Sequence, residues 1–302
     1  MSGMKIAFSP EYVLPVPDGH RFPMLKYELV PQQLLYEGTC QEDDFFIPIP
    51  AKRSIVNAIH CKDYMDSLDN LSIPRKDHIK IGLPFNKTLI EREYLITGGV
   101  LNACDYAIEK GISLSIAGGT HHAFPDRGEG FCVFNDAAVA SKYLIDNNIS
   151  KSILIIDLDV HQGNGTAKCL ENESSIFTFS MHCDHNYPLQ KEFSDLDIPL
   201  QVGTTDSVYL EILNYQLDQL IDKLQPDFIF FNAGVDVLAS DKLGKLKLSI
   251  EGCKQRDEFV LNKAKESNIP VVVTMGGGYS PDISVIVEAH CNTFRLAREI
   301  FF

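Results

Sequence analysis

The stretch Ile153-Leu154-Ile155-Ile156-Asp157-Leu158-Asp159-Val160-His161-Gln162-Gly163-Asn164-Gly165 constrains this chain more than any other. Its continuous apolar run is the pattern of a strand covered on both faces, which belongs to a sheet with helices on either side. Polar groups follow at 157, 159 and 161, and because side chains alternate along a strand the three are expected on one face. Two carboxylates and an imidazole gathered where an apolar strand ends carry a large desolvation cost unless a cation sits among them. A divalent metal ion meets that need; the plainer reading is a strand end whose carboxylates cap the following turn and helix.

Comparable strand candidates occur at Ile112 to Ala117, Ile176 to Met181, Phe228 to Ala233 and Val271 to Met275. Helices are expected over Ile90 to Lys110, Val133 to Asn147, Ser207 to Leu224 and Ile250 to Glu266, with a last one capped by Ser280, carrying Pro281 in its first turn and running to the chain end. Upstream, Lys5 to Phe8 reads as a short strand, Pro10 to Pro23 as a loop long enough to shape a site, Met24 to Tyr36 as a helix interrupted at Pro31, and Phe45 to Ile49 as an edge strand. Strand-then-helix units in succession predict an α/β fold, a mostly parallel central sheet flanked by helices in three layers. With no linker or repeat, residues 1–302 are expected to form a single domain.

Acidic residues outnumber basic ones 41 to 27, for a net charge of -14 with no Lys/Arg run, which argues against a nucleic-acid partner and suits a cationic small molecule or a basic peptide. The eight cysteines include no C-x-x-C pair and read as reduced thiols. No long apolar region marks Met1 to Pro10 as a secretory signal, and no segment approaches the roughly 20 apolar residues of a membrane span, so a cytoplasmic protein without a membrane partner is expected.

In open α/β sheets ligands bind beyond the carboxyl ends of the strands. Beyond the successive strand candidates of this chain stand His121 and His122; Asp157, Asp159 and His161; Ser180 and His182; Asn232 and Asp236; and Gly276-Gly277-Gly278-Tyr279. Asp236 could complete an O, N, O donor set with Asp159 and His161, the arrangement of a catalytic zinc site with positions left open, or it could cap the next helix. A histidine pair beside such a site suits proton transfer, and Asp157 is the candidate to orient one ring by accepting its N–H. The glycines before Tyr279 permit close approach, and its phenol could hold a developing oxyanion; the plainer reading is a flexible turn and a half-buried aromatic.

These motifs resemble the zinc-dependent histone deacetylase family, of arginase/deacetylase fold, nearer its shorter bacterial and class IV-like branch. The resemblance is carried by Gly118-Gly119-Thr120-His121-His122-Ala123, Gly130-Phe131-Cys132-Val133-Phe134-Asn135-Asp136, Asp157 through Gly165, Ala233-Gly234-Val235-Asp236 with Asp241 and Gly244, and Gly276-Gly277-Gly278-Tyr279, with a weaker likeness at His20-Arg21-Phe22-Pro23. It implies one zinc ion per chain on Asp159, His161 and Asp236, proton transfer shared by His121 and His122, and Tyr279 donating to the substrate carbonyl. It also implies an alkali ion, potassium, beside the zinc strand near Asp157, Ser180 and Met181, and an acyl channel walled by Gly130 and Phe131, with Tyr187 opposite.

The implied activity is hydrolysis of an acyl amide on a lysine side chain, or alternatively of an acetylpolyamine. A two-manganese ureohydrolase and a non-catalytic reader of acyl-lysine are the remaining readings. Two departures from the family pattern stand out. Asn164 occupies a position where many members carry a carboxylate, so His122 is expected to lean on an amide. The segment Gly82-Leu83-Pro84-Phe85-Asn86 lacks the acidic residue with which many histone-directed members grip the substrate backbone.

Overall fold

A computed structural model describes residues 3–302; Met1 and Ser2, which begin the Met1 to Pro10 stretch, lie outside the described residues. The strands are β1 (Ile6–Ala7), β2 (Phe45–Phe46), β3 (Ile112–Ser115), β4 (Ile153–Asp157), β5 (Ile176–Cys183), β6 (Leu196–Leu200), β7 (Phe228–Asn232) and β8 (Val271–Thr274). They form one sheet in the order β2-β1-β3-β8-β7-β4-β5-β6, and every pairing is parallel. All residues of β3, β4, β7 and β8 are buried, as a sheet covered on both faces requires.

The helices are α1 (Lys26–Tyr36), α2 (Arg53–Val56), α3 (Lys62–Asp69), α4 (Arg75–Ile81), α5 (Lys87–Lys110), α6 (Asp136–Asp146), α7 (Asn164–Leu170), α8 (Asp206–Leu224), α9 (Ile250–Glu266) and α10 (Ile283–Phe301). No helix among the described residues is long and apolar enough to cross a membrane. The chain is one α/β domain whose four central strands, β3, β8, β7 and β4, lie side by side. Each directs its carboxyl end toward the crevice where ligands bind in such sheets.

Local chemistry moves several boundaries. Helix α1 runs through Pro31 without a break. Helix α6 starts at Asp136 rather than Val133, because the Asn135 side chain caps it by accepting from Ala138 N. Asp282, not Ser280, caps α10, accepting from Ser284 N, and Pro281 precedes the helix. The expected edge strand at 45–49 shrinks to the two residues of β2. Strand β6 escapes the pattern because Leu196-Asp197-Ile198-Pro199-Leu200 mixes polar residues with a proline, which only an edge position tolerates.

Helix α5 lies tightly against the segment after β2. A Cβ on Gly98 would overlap the carbonyl oxygen of Ile49. Gly98→Ala is therefore expected to cost about 1–3 kcal/mol by overpacking, read as a lower urea midpoint at unchanged slope. An unchanged midpoint would mean that the 49–51 segment is free to move away.

Candidate active site

Strand β4 ends at Asp157, so Asp159 and His161 do not lie on the strand as alternation suggested. A chain of side-chain-to-backbone bonds folds them inward instead. Asp157 Oδ1 accepts from Asp159 N (3.2 Å), and Asp159 Oδ1 accepts from His161 N (3.0 Å). Asp236, beyond β7 and fully buried, accepts from Val160 N through Oδ1 (2.9 Å), which ties the two strand ends together. His161 Nδ1 then lies 3.0 Å from Asp159 Oδ1 and 3.1 Å from Asp236 Oδ2.

One ligand atom from each of Asp159, His161 and Asp236 falls within 4.8 Å of the others. Several features fit this triad to a divalent cation. Asp236 Oδ2 has no hydrogen-bond donor in favourable geometry although it is buried, and buried acceptors are rarely left so. Without a metal, a proton on His161 has to stand between the two carboxylates: burial opposes the ring's charge, but the bonds to Asp159 and Asp236 raise it to about 10. Burial and the neighbouring Asp159 charge push Asp236 up to about 7, while Asp159, despite burial, is held well below the usual carboxylate range by His121 and His161. Space is provided by Gly277, where a Cβ would overlap Asp236 Oδ2 and lie against Asp159 Oδ2. The O, N, O chemistry of the triad suits zinc.

The two histidines after β3 are differently placed. His121 Nδ1 donates to Asp157 Oδ2 (2.7 Å), and His122 Nδ1 donates to Asn164 Oδ1 (2.6 Å), the amide partner expected from sequence. Burial works against charge on both rings. For His121 the carboxylates of Asp157 and Asp159 outweigh it and raise the ring to about 9, whereas His122 is held well below its ordinary value by burial and by its neighbours His121 and His161. Their surroundings thus push the two rings in opposite directions.

The Tyr279 amide donates to Asp241 Oδ2 (2.6 Å), and Asp241 Oδ1 accepts from Leu243 N and Gly244 N (both 2.8 Å). Burial and the carboxylates of Asp159 and Asp236 raise the Tyr279 phenol well above its ordinary range, so it stays protonated and able to donate. A cleft of about 640 Å³ reaches this point from the surface, lined by His122, His161, Gly130, Phe131, Tyr187 and Tyr279 among others. Tyr187 stands edge-on to His122 at 4.9 Å and donates to Glu129 Oε2 (2.9 Å). Phe131 is held in the left-handed region (φ 69°), a strain of about 1–2 kcal/mol, while its amide donates to Ile81 O (2.7 Å). A Cβ on Gly130 would overlap the His122 ring. Ser180 pairs in register with Asp157 across β4 and β5, and its hydroxyl lies 3.0 Å from His182 Nδ1.

Further residues support this arrangement. Asp136 accepts from Gly119 N (2.8 Å) and Thr120 N (3.1 Å), fixing the turn that carries the histidine pair. Asn232 donates to Asp157 Oδ1 (3.0 Å). Lys26, wholly buried, donates to Gly276 O (2.8 Å) beneath the tyrosine loop; burial lowers it to about 8, with the site carboxylates acting in opposition. Arg256, also wholly buried, donates through Nη1 to Leu158 O (3.1 Å) and Gly234 O (2.6 Å), clamping the two strand ends that bear the triad. A lone charged residue in a helical or loop pattern carries no signal of burial, so only the position of Asp136 and Asp241 inside recognisable motifs could have drawn attention to them.

The histone deacetylase domain profile matches residues 20–294 of this chain. An uncharacterised protein of Picosynechococcus is 38% identical over 299 residues, covering 99% of this chain and all of its own length. Histone deacetylase 2 of Arabidopsis thaliana is 31% identical over 92% of this chain and 75% of its own. Acetoin utilization protein AcuC of Staphylococcus aureus is 27% identical over 87% of this chain and 73% of its own. Among solved structures, a histone deacetylase homologue complexed with SAHA superposes with a TM-score of 0.82 at 24% identity, over 98% of this chain and 84% of that one, which bears on the fold. Sequence and architecture agree: the chain belongs to the histone deacetylase family and has the arginase/deacetylase fold.

Proposed function

We propose that this chain hydrolyses the acyl amide of an acylated lysine side chain, with an acylated polyamine as the second candidate substrate. The carrying observation is that the O, N, O triad, the histidine pair and a protonated phenol all meet at the inner end of one cleft. A zinc ion bound by Asp159, His161 and Asp236 supplies a Lewis acid for the acyl carbonyl and lowers the pKa of water toward about 7.

The chain's own groups do the rest. Tyr279 donates to the carbonyl oxygen as charge builds there. His122 lines the substrate cleft and exchanges protons with the attacking water and the leaving amine. His121, with its Nδ1 against Asp157 Oδ2, shares that proton transfer. Phe131 and Tyr187 form the walls between which an extended aliphatic arm lies. The same reading puts potassium near Asp157, Ser180 and Met181, supported by the register that sets Asp157 beside Ser180. One triad of metal-ligating groups among the described residues favours one metal over the two-manganese ureohydrolase reading.

A zinc-titrated panel of acetyl-lysine, longer acyl-lysine and acetylpolyamine substrates tests this. Turnover is expected to vanish with a chelator and return with zinc. Tyr279→Phe is expected to lower kcat about 10²–10³-fold with a smaller change in KM, as for other lost oxyanion donors. Tight acyl-lysine binding with no product at saturating zinc would favour the reader, and two manganese ions per chain the ureohydrolase.

A further inference from the structure

The charge at the cleft mouth runs against the charge of the chain. Over the whole sequence acidic groups exceed basic ones by 14, yet the mouth is lined by Arg21, Lys80 and Lys245 and by a single carboxylate, Glu129. Glu129 is already engaged: it accepts from Arg127 Nε (2.7 Å) and Tyr187 Oη (2.9 Å), and Lys80 Nζ lies 3.5 Å away. Arg21 and Lys245 have no ion-pair partner among the described residues; Lys245 donates only to the carbonyl of His185 (2.6 Å).

Both cations are carried on fixed backbone. Around Arg21, the His20 ring bonds Gly82 O (2.9 Å), Phe22 N donates to His20 Nδ1 (3.1 Å), and Phe22 packs on Phe131 with ring centroids 5.2 Å apart. Lys245 immediately follows Gly244, which the Asp241 side chain pins. Two unpaired cations held over the entrance to an amide-hydrolysing cleft oppose a polycationic substrate and attract a carboxylate.

We infer that this mouth selects acyl-amine substrates bearing a carboxylate beside the acylated arm, with Arg21 and Lys245 as the residues that hold it, and that acylated polyamines are poor substrates. The inference rests on the acyl-amide hydrolase reading and narrows its substrate class; it also replaces the cationic partner that net charge alone suggested. The carboxylate has two possible sources, an acidic residue flanking an acyl-lysine in a peptide or the α-carboxylate of free acyl-lysine.

The test uses the zinc-loaded full chain and acetyl-lysine peptides matched except for Asp, Ala or Lys at the flanking positions, with free acetyl-lysine and an acetylated diamine alongside. At about 50 mM salt kcat/KM is expected to favour the acidic over the neutral peptide by roughly tenfold, shrinking to about two- or threefold near 500 mM as screening sets in. The basic peptide and the diamine should fall below the neutral one, and whichever of the acidic peptide and free acetyl-lysine is preferred identifies the source. Arg21→Glu combined with Lys245→Glu should bring the acidic-to-neutral ratio to one or below. Equal kcat/KM for acidic and neutral peptides, or a preference for the diamine, overturns the inference. Fluorescent copies of the peptides titrated against zinc-loaded Tyr279→Phe must show the same charge order in Kd. That order without any turnover in the wild type refutes hydrolysis and leaves the mouth assignment standing, whereas Kd values indifferent to charge refute the mouth whatever the activity.

Discussion

Asp236→Asn is expected to abolish turnover of an acetyl-lysine peptide while leaving the metal-free protein at least as stable as the wild type. The two effects separate because the two carboxylate oxygens have different partners. Oδ1 accepts from Val160 N, a bond that an asparagine oxygen reproduces, whereas Oδ2 faces His161 Nδ1 without a well-placed donor. An amide there removes one of the two carboxylates that hold the proton on His161, so the ring can turn neutral and accept at Nδ1 from the amide NH2, which keeps the metal-free state at least as stable as the wild type. It also removes one of three ligands. The wild type should gain about 3 kcal/mol of stability at a hundredfold excess of zinc over Kd, and the variant almost none. Thermal melts with and without zinc, together with metal content by elemental analysis, check both halves. Wild-type turnover by the variant would remove Asp236 from the metal set, and a sharply lower melting temperature without zinc would show that the residue's main role is structural.

A second large effect is expected at Arg256, which does not line the cleft. Its guanidinium is wholly buried, paired with Asp257 Oδ1 through Nε (2.8 Å) and bonded to the carbonyls of Leu158 and Gly234. Arg256→Met strands a buried carboxylate and two strand-end carbonyls, a loss of about 3–5 kcal/mol visible as a lower denaturant midpoint. Replacing Asp257 with Leu in the same chain should recover part of that loss, since the charge is then removed in pairs, although Thr293 Oγ1 loses its acceptor. The double variant should still hold zinc more weakly than the wild type, because Leu158 precedes Asp159 and Gly234 lies two residues before Asp236. Wild-type zinc affinity in a folded double variant would show that the clamp serves stability alone.

Much of this architecture was legible because a buried parallel strand has to be apolar throughout. Ile153 to Ile156 and Phe228 to Phe231 leave little room for another assignment, and the groups beyond their ends are where an α/β sheet binds ligands. Legibility failed where polarity and burial part company. Helix α4, Arg75-Lys76-Asp77-His78-Ile79-Lys80-Ile81, receives no assignment from the sequence pattern, yet its last two carbonyls hold Gly130 and Phe131 in the cleft wall. Strand alternation does not account for the placement of Asp157, Asp159 and His161: the strand ends at Asp157, which pairs with His121, and side-chain bonds to the backbone bring Asp159 and His161 together. Lys26 and Arg256 were invisible, since nothing in a single sequence separates a buried cation from a solvated one.

The four central strands each contribute one part of the site, His121 and His122 from β3, Tyr279 from β8, Asp236 from β7, and Asp159 with His161 from β4. In the sheet these strands are adjacent, but along the chain they are far apart, so no contiguous fragment that omits either β3 or β8 can hold the whole constellation. The peripheral strands β2 and β6 can fray in slow amide exchange without disturbing any reacting group, whereas opening at the centre removes all of them together. Chemistry and global unfolding are therefore expected to share one protected unit, leaving the sheet margins and the cleft rim as the regions where sequence can drift and specificity can change.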